Sequence, residues 1–133
     1  MPATAIATYA IAVAGGLFTL ALMLYASEPW HADLGRWALV LPFAALSVSP
    51  YLVLARLARG LADDAAKSRV LLGVTLLVTA PALWIYWQGF LIEPDPQSGL
   101  LFVFLPIYQF IAGAVAGMAT WLFVLASRRR RVR

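Results

Sequence analysis

The chain has 133 residues, of which 63% are hydrophobic and 12% charged, with a net charge of +4 and a mean hydropathy of +0.85. Soluble domains carry about a quarter charged residues, so this chain lacks the polar residues to cover a water-soluble fold, and the same composition excludes disorder. Cysteine is absent and His31 is the only histidine, which excludes disulfides, cysteine-metal sites and a bis-histidine haem within the chain.

The first apolar run, Ala3 to Ala26, carries no charge, and no Lys or Arg precedes Arg36. A cleaved signal peptide begins with a basic segment, so the run reads as a retained signal-anchor helix. Lipid is as apolar as leucine, so small and weakly polar residues mark helix contacts. Thr4, Thr8, Ala12, Gly15 and Thr19 fall on one face, and Ile6, Leu17, Leu20 and Leu24 on another. A linker, Ser27 to Arg36, contains Pro29 as its breaker. The second span, residues 37-55, lies between Arg36 and Arg56 and carries Pro42, Ser47, Pro50 and Tyr51. The middle linker runs from Arg56 to Arg69. The third span, residues 70-92, carries Thr75, Thr79 and Pro81 and ends at the Glu93-Pro94-Asp95-Pro96 run.

The fourth span, residues 100-127, is long. From Gly99 to Ser127 a helix would measure about 43 Å, but from Pro106 only about 33 Å. The residue before a proline avoids the helical region. The expectation is therefore a kink at Pro106, with Leu100 to Leu105 either topping a tilted helix or lying along the interface. Gln109, Gly113, Gly117 and Thr120 share a face, and Gly113 to Gly117 is a GxxxG. This seam reads as packing inside the monomer first and as a homodimer contact second.

The expected fold is all-α and integral to the membrane: one domain over residues 1-133, with four transmembrane helices in two antiparallel hairpins. Each span suffices to cross a hydrocarbon core of about 30 Å. Arg56, Arg59, Lys67 and Arg69 occupy the middle linker, and Arg128, Arg129, Arg130, Arg131 and Arg133 the tail. By the positive-inside rule both are cytoplasmic, and so are both termini. Trp30, Trp37, Trp84 and Trp87 mark the outer boundary. Echoes between the halves, Glu28-Pro29 with Glu93-Pro94 and Leu41-Pro42 with Leu105-Pro106, suggest a parallel repeat about an axis along the membrane normal.

Chemistry is sparse. No ionisable residue lies well within a span, which removes the embedded charge that proton-coupled carriers use. Glu28, His31, Asp33, Glu93 and Asp95 gather in the outer linkers, and a solvated acidic surface is the plainer reading than a cation site. Tyr51, Gln88 and Gln109 are the polar candidates for a pathway, and bridging between helices is the plainer reading of Gln109. The basic tail, Arg128 to Arg131 with Arg133, is an anchor on anionic lipid phosphates rather than a nucleic-acid arm. The expected function is a small non-catalytic subunit or accessory protein of the plasma membrane, without cofactor. It would pack against itself or a larger membrane protein. The alternative is a small oligomeric channel or transporter with a neutral, proline-kinked pathway.

Overall fold

The computed structural model describes residues 1–31 and 33–131; over the end of α4 it describes the side chains of residues 101–119, 122 and 126. The chain is helical nearly throughout: α1 is Ala3–Ser27, α2 Leu34–Gly60, α3 Ala65–Trp87 and α4 Leu101–Arg131. All four are long and apolar enough to cross a membrane. Short 3-10 turns, Pro29–His31 and Ser98–Leu100, precede α2 and α4. The last turn of α3 widens into a π-turn, Gln88–Ile92.

Local chemistry sets the ends. Glu28 closes α1 in the left-handed conformation (φ 41°), and its N–H donates to the Leu24 carbonyl at 3.1 Å. Pro29 follows directly and has no N–H with which to continue the helix. At the start of α3 the Asp64 carboxylate accepts from the N–H groups of Ala66 and Lys67, both at 3.1 Å. It also pairs with the Lys67 ammonium at 3.0 Å. This is an N-cap that fills two otherwise unmatched donors. The cap and the Lys67 charge hold the Asp64 carboxyl below its usual range.

Helix α1 packs along α2 and α3, and α4 packs on the same two helices from the other side; α2 and α3 touch each other little. Contacts between α1 and α2 run in opposite order, from Tyr9–Arg59 to Thr19–Tyr51. Those between α1 and α3 run in the same order, from Thr4–Ser68 to Gly15–Thr79. Although a short linker joins them, α2 and α3 are not close neighbours, because α1 stands between them. One expectation changes. A twofold repeat along the normal would place α1 diagonal to α3; they are adjacent, so the echoes in the sequence do not correspond to that symmetry.

Prolines 42, 50, 81 and 106 all lie inside helices. Residues 101–105 are helical, so the segment before Pro106 is part of α4 rather than an interfacial stretch. A proline leaves the carbonyl four residues earlier without its helical donor, and in lipid that carbonyl needs another. Pro50 frees the Leu46 carbonyl, to which Ser49 donates at 2.6 Å. Pro106 frees the Phe102 carbonyl, which receives the Ser47 hydroxyl of α2 at 2.9 Å. The second of these ties two helices together.

Hydrophobic packing forms two clusters. One joins all four helices through Leu22, Met23, Val40, Ala82, Tyr86, Phe102 and Leu105. Its ring pairs are Tyr86–Phe102 at 5.3 Å and Phe90–Phe102 at 4.9 Å. The other holds Ala12, Leu54, Ala58 and Leu71, from α1, α2 and α3. We call the first the tryptophan end, after Trp30, Trp37, Trp84 and Trp87, and the second the basic end, after Arg56, Arg59, Lys67 and Arg69.

Candidate functional site

Between the two clusters lies a buried polar bridge. Tyr51 of α2 is 2% exposed, and two side chains converge on its hydroxyl. Thr19 of α1 donates at 3.3 Å and the Gln109 amide of α4 at 3.1 Å. Three helices are thus joined at one oxygen. Thr79 of α3 completes the ring of elements. A Cβ added to Gly15 would sit 2.6 Å from the Tyr51 ring and 3.2 Å from the Thr79 methyl. Glycine at 15 is what lets α1 approach that closely. Gly16 packs on the same ring, a Cβ there lying 3.3 Å from Tyr51 Cβ.

The bridge is not fully satisfied. Thr79 Oγ1 and Gln109 Oε1 are buried without a hydrogen-bond partner among the described residues. The two ends of a carboxamide are told apart by their partners alone. Turning Gln109 over lets the Tyr51 hydroxyl donate to Oε1 and leaves the amide nitrogen over instead. In either orientation one polar atom goes without, at a cost of about 1–3 kcal/mol.

Below the bridge, toward the basic end, α4 leaves the bundle. Phe102, Leu105, Pro106 and Gln109 are buried; from Ile111 onward the described side chains of α4 are half-buried or exposed. The divergence opens a wedge of about 670 Å³ between α2, α3 and α4. Gln109 lies at its closed end, and Asp64 and Lys67 are its charged lining residues, at the mouth. The walls between are apolar, with Leu54, Leu57, Leu71 and Val74 facing Phe110, Gly113, Ala114 and Gly117.

The seam residues read from the sequence therefore divide. Thr8, Ala12, Gly15 and Thr19 are fully buried where α1 packs, and Gln109 is buried in the bridge. Gly113 and Gly117 line the wedge, and no described atom lies within 4 Å of where a Cβ would sit on either. Among the described residues, then, no side chain packs directly on the GxxxG glycines. The side chains of Thr120, Arg128, Arg129, Arg130 and Arg131 lie outside the described residues, as does all of Arg133. Of the polar pathway, Tyr51 and Gln109 bond each other. Gln88 lies beyond Tyr86, in the π-turn, where its carbonyl accepts the Glu93 N–H at 2.8 Å. The acidic residues of the first and third linkers assemble no group of three possible metal ligands among the described residues.

Several contacts carry no sequence signal. Ser98 donates to the Gly89 carbonyl at 2.6 Å, and a Cβ on Gly89 would lie 2.7 Å from Leu101. The Arg59 guanidinium sits 4.7 Å over the Tyr9 ring and donates to its hydroxyl at 2.8 Å. Neither residue type nor spacing marks Gly89 or Tyr9. The Gly15-Gly16 pair is the one signal that could have pointed to an aromatic ring seated against α1.

Comparison with known protein families, curated proteins and solved structures finds no match.

Proposed function

We propose that this chain is a small non-catalytic subunit of a plasma-membrane complex, packing against itself or a larger membrane protein through the exposed apolar stripe on the second half of α4. On this reading the helices form two antiparallel hairpins, with the basic end and both termini cytoplasmic, supported by the bias of Lys and Arg. The observation that carries the proposal is α4 itself. The helix is fixed to the bundle as far as Gln109, and beyond it the described side chains are half-buried or exposed. On the side away from the wedge it exposes Ile111, Val115, Met118 and Leu122. That alternation of four- and three-residue steps is the one by which helices interlock side by side. The polar side chains of the spans act in the same sense: Thr4, Ser47, Thr19 and Gln109 are spent on bonds between helices. The alternative of a neutral pathway gains no support of this kind, because Tyr51 and Gln109 close on each other and Gln88 stands apart.

The absence of cysteine makes the test direct. Met118→Cys carries a single thiol on the exposed stripe, and Leu39→Cys carries one on exposed surface of α2. In native membranes a short thiol crosslinker is expected to give one discrete higher-mass adduct from Met118→Cys and none from Leu39→Cys. No adduct from Met118→Cys, or equal adducts from both, would refute the proposal.

A further inference from the structure

We infer that the wedge between α2, α3 and α4 is a phospholipid site: one acyl chain lies along it and the lipid phosphate meets the Lys67 ammonium. The inference rests on the helices crossing a membrane, and not on the subunit reading of α4.

Length comes first. The wedge follows α2 from Pro50 to Leu61, about 17 Å at 1.5 Å per residue. Half of a hydrocarbon core is about 15 Å. The wedge thus spans one leaflet, from the interface at Asp64 and Lys67 to mid-bilayer at Gln109. Volume then decides what kind of occupant fits. The wedge holds about 670 Å³, within the ~300–1,000 Å³ of small-ligand sites. A slender hydrocarbon chain fits that space along its full length. Apolar walls rule out a water filling, since a buried water needs two to four polar partners.

The mouth selects the head. The Asp64 carboxylate is already engaged by two backbone N–H groups and by Lys67. The Lys67 side chain is 64% exposed, and an ammonium has three donors. Asp64 uses one of them, which leaves two for phosphate oxygens. On the α4 wall, beyond Phe110, Gly113 and Gly117 add no side chain, which gives this GxxxG a use other than packing against a helix.

Native mass spectrometry of the full chain in detergent tests this, with phosphatidylglycerol as probe and diacylglycerol as its phosphate-free counterpart. The wild type is expected to take up one phosphatidylglycerol in a saturable step and to bind diacylglycerol more weakly. Gly113→Leu/Gly117→Leu fills the wedge and should lower phosphatidylglycerol affinity at least tenfold. Val74→Trp, from the facing wall, should do the same should the double variant fail to fold. Lys67→Gln should lower phosphatidylglycerol affinity about fivefold and leave diacylglycerol unchanged. Val115→Ala, on the outward face, should change neither. Unsaturable lipid uptake by the wild type overturns the inference. So does full affinity in a folded, wedge-filled variant, or an equal loss of both lipids in Lys67→Gln. Crosslinking of Gly113→Cys to a protein rather than to lipid would also overturn it; the Met118→Cys result is independent of all these outcomes.

Discussion

At the tryptophan end four helices share one core, whereas at the basic end the core of the described residues comes from α1, α2 and α3. Helix α4 belongs to both ends by length, yet its described contacts with that core lie in its first part. What holds it is specific: Phe102 stacks among Tyr86 and Phe90, Ser47 takes up the carbonyl that Pro106 frees, and Gln109 reaches Tyr51. Beyond Gln109 the face that lines the wedge is Phe110 and then only Gly113, Ala114 and Gly117. Small residues permit a close approach but do not produce one. At Gly15 a buried aromatic ring fills the space that glycine leaves; at Gly113 no described side chain does.

The sharpest way to break this contrast is to make one change at both places. Gly15→Ala puts a methyl group against the Tyr51 ring, which is buried and bonded at its hydroxyl and so has nowhere to go. Overpacking of this kind costs about 1–3 kcal/mol. Gly113→Ala meets open space and gains helix propensity, worth up to about 1 kcal/mol. Thermal melts in detergent, followed by helicity, should therefore move in opposite directions. Equal destabilisation by the two would mean that the wedge is closed.

Tyr51→Phe probes the point where the two ends divide. It removes the acceptor for Thr19 and Gln109 and should cost about 1 kcal/mol, near the average for interhelical bonds in membranes with an orphaned amide added. Adding Gln109→Leu should recover part of that loss, because it removes the amide left without a partner. A double variant no more stable than Tyr51→Phe would show that the amide finds another partner.

The smallest effect belongs to Asp64, at the mouth of the wedge. Its carboxyl is held below the usual range, chiefly by the Lys67 backbone N–H and then by the Lys67 side chain. The group thus adds stability that is complete above the ordinary carboxylate range and is lost as pH falls through its lowered value. Amide exchange in the first turn of α3 should rise on acidification beyond the intrinsic pH effect. In Asp64→Asn, which keeps the cap but not the charge, that rise should vanish. Its persistence would assign the acid sensitivity to another group.

Much of this was legible beforehand. Charge-free runs bounded by Arg36, Arg56, Arg69 and Glu93 locate the helices, since burying an unpaired charge in hydrocarbon is costly. The face of α1 from Thr8 to Thr19 was legible because helical spacing puts those residues on one side. The bridge was legible only as separate residues. Tyr51, Gln109 and Thr19 are each visible as polar groups in an apolar run, but no spacing rule pairs residues from three helices. Gln88 stands with Gln109 among the polar candidates, but it falls in the π-turn, away from the bridge. The GxxxG poses a related question: a motif states what could approach, and the neighbour decides whether it does.

By itself, then, the sequence determined four apolar helices and their order along the chain, because hydrophobicity and helix breaking act locally; α2 and α3 nonetheless run past the charges that bound their apolar runs. Only the tertiary structure decided that α1 stands between α2 and α3, that Ser47 answers Pro106, and that α4 parts from the bundle beyond Gln109. Those outcomes depend on shape complementarity and hydrogen bonds between residues far apart in the chain, and no local pattern encodes either.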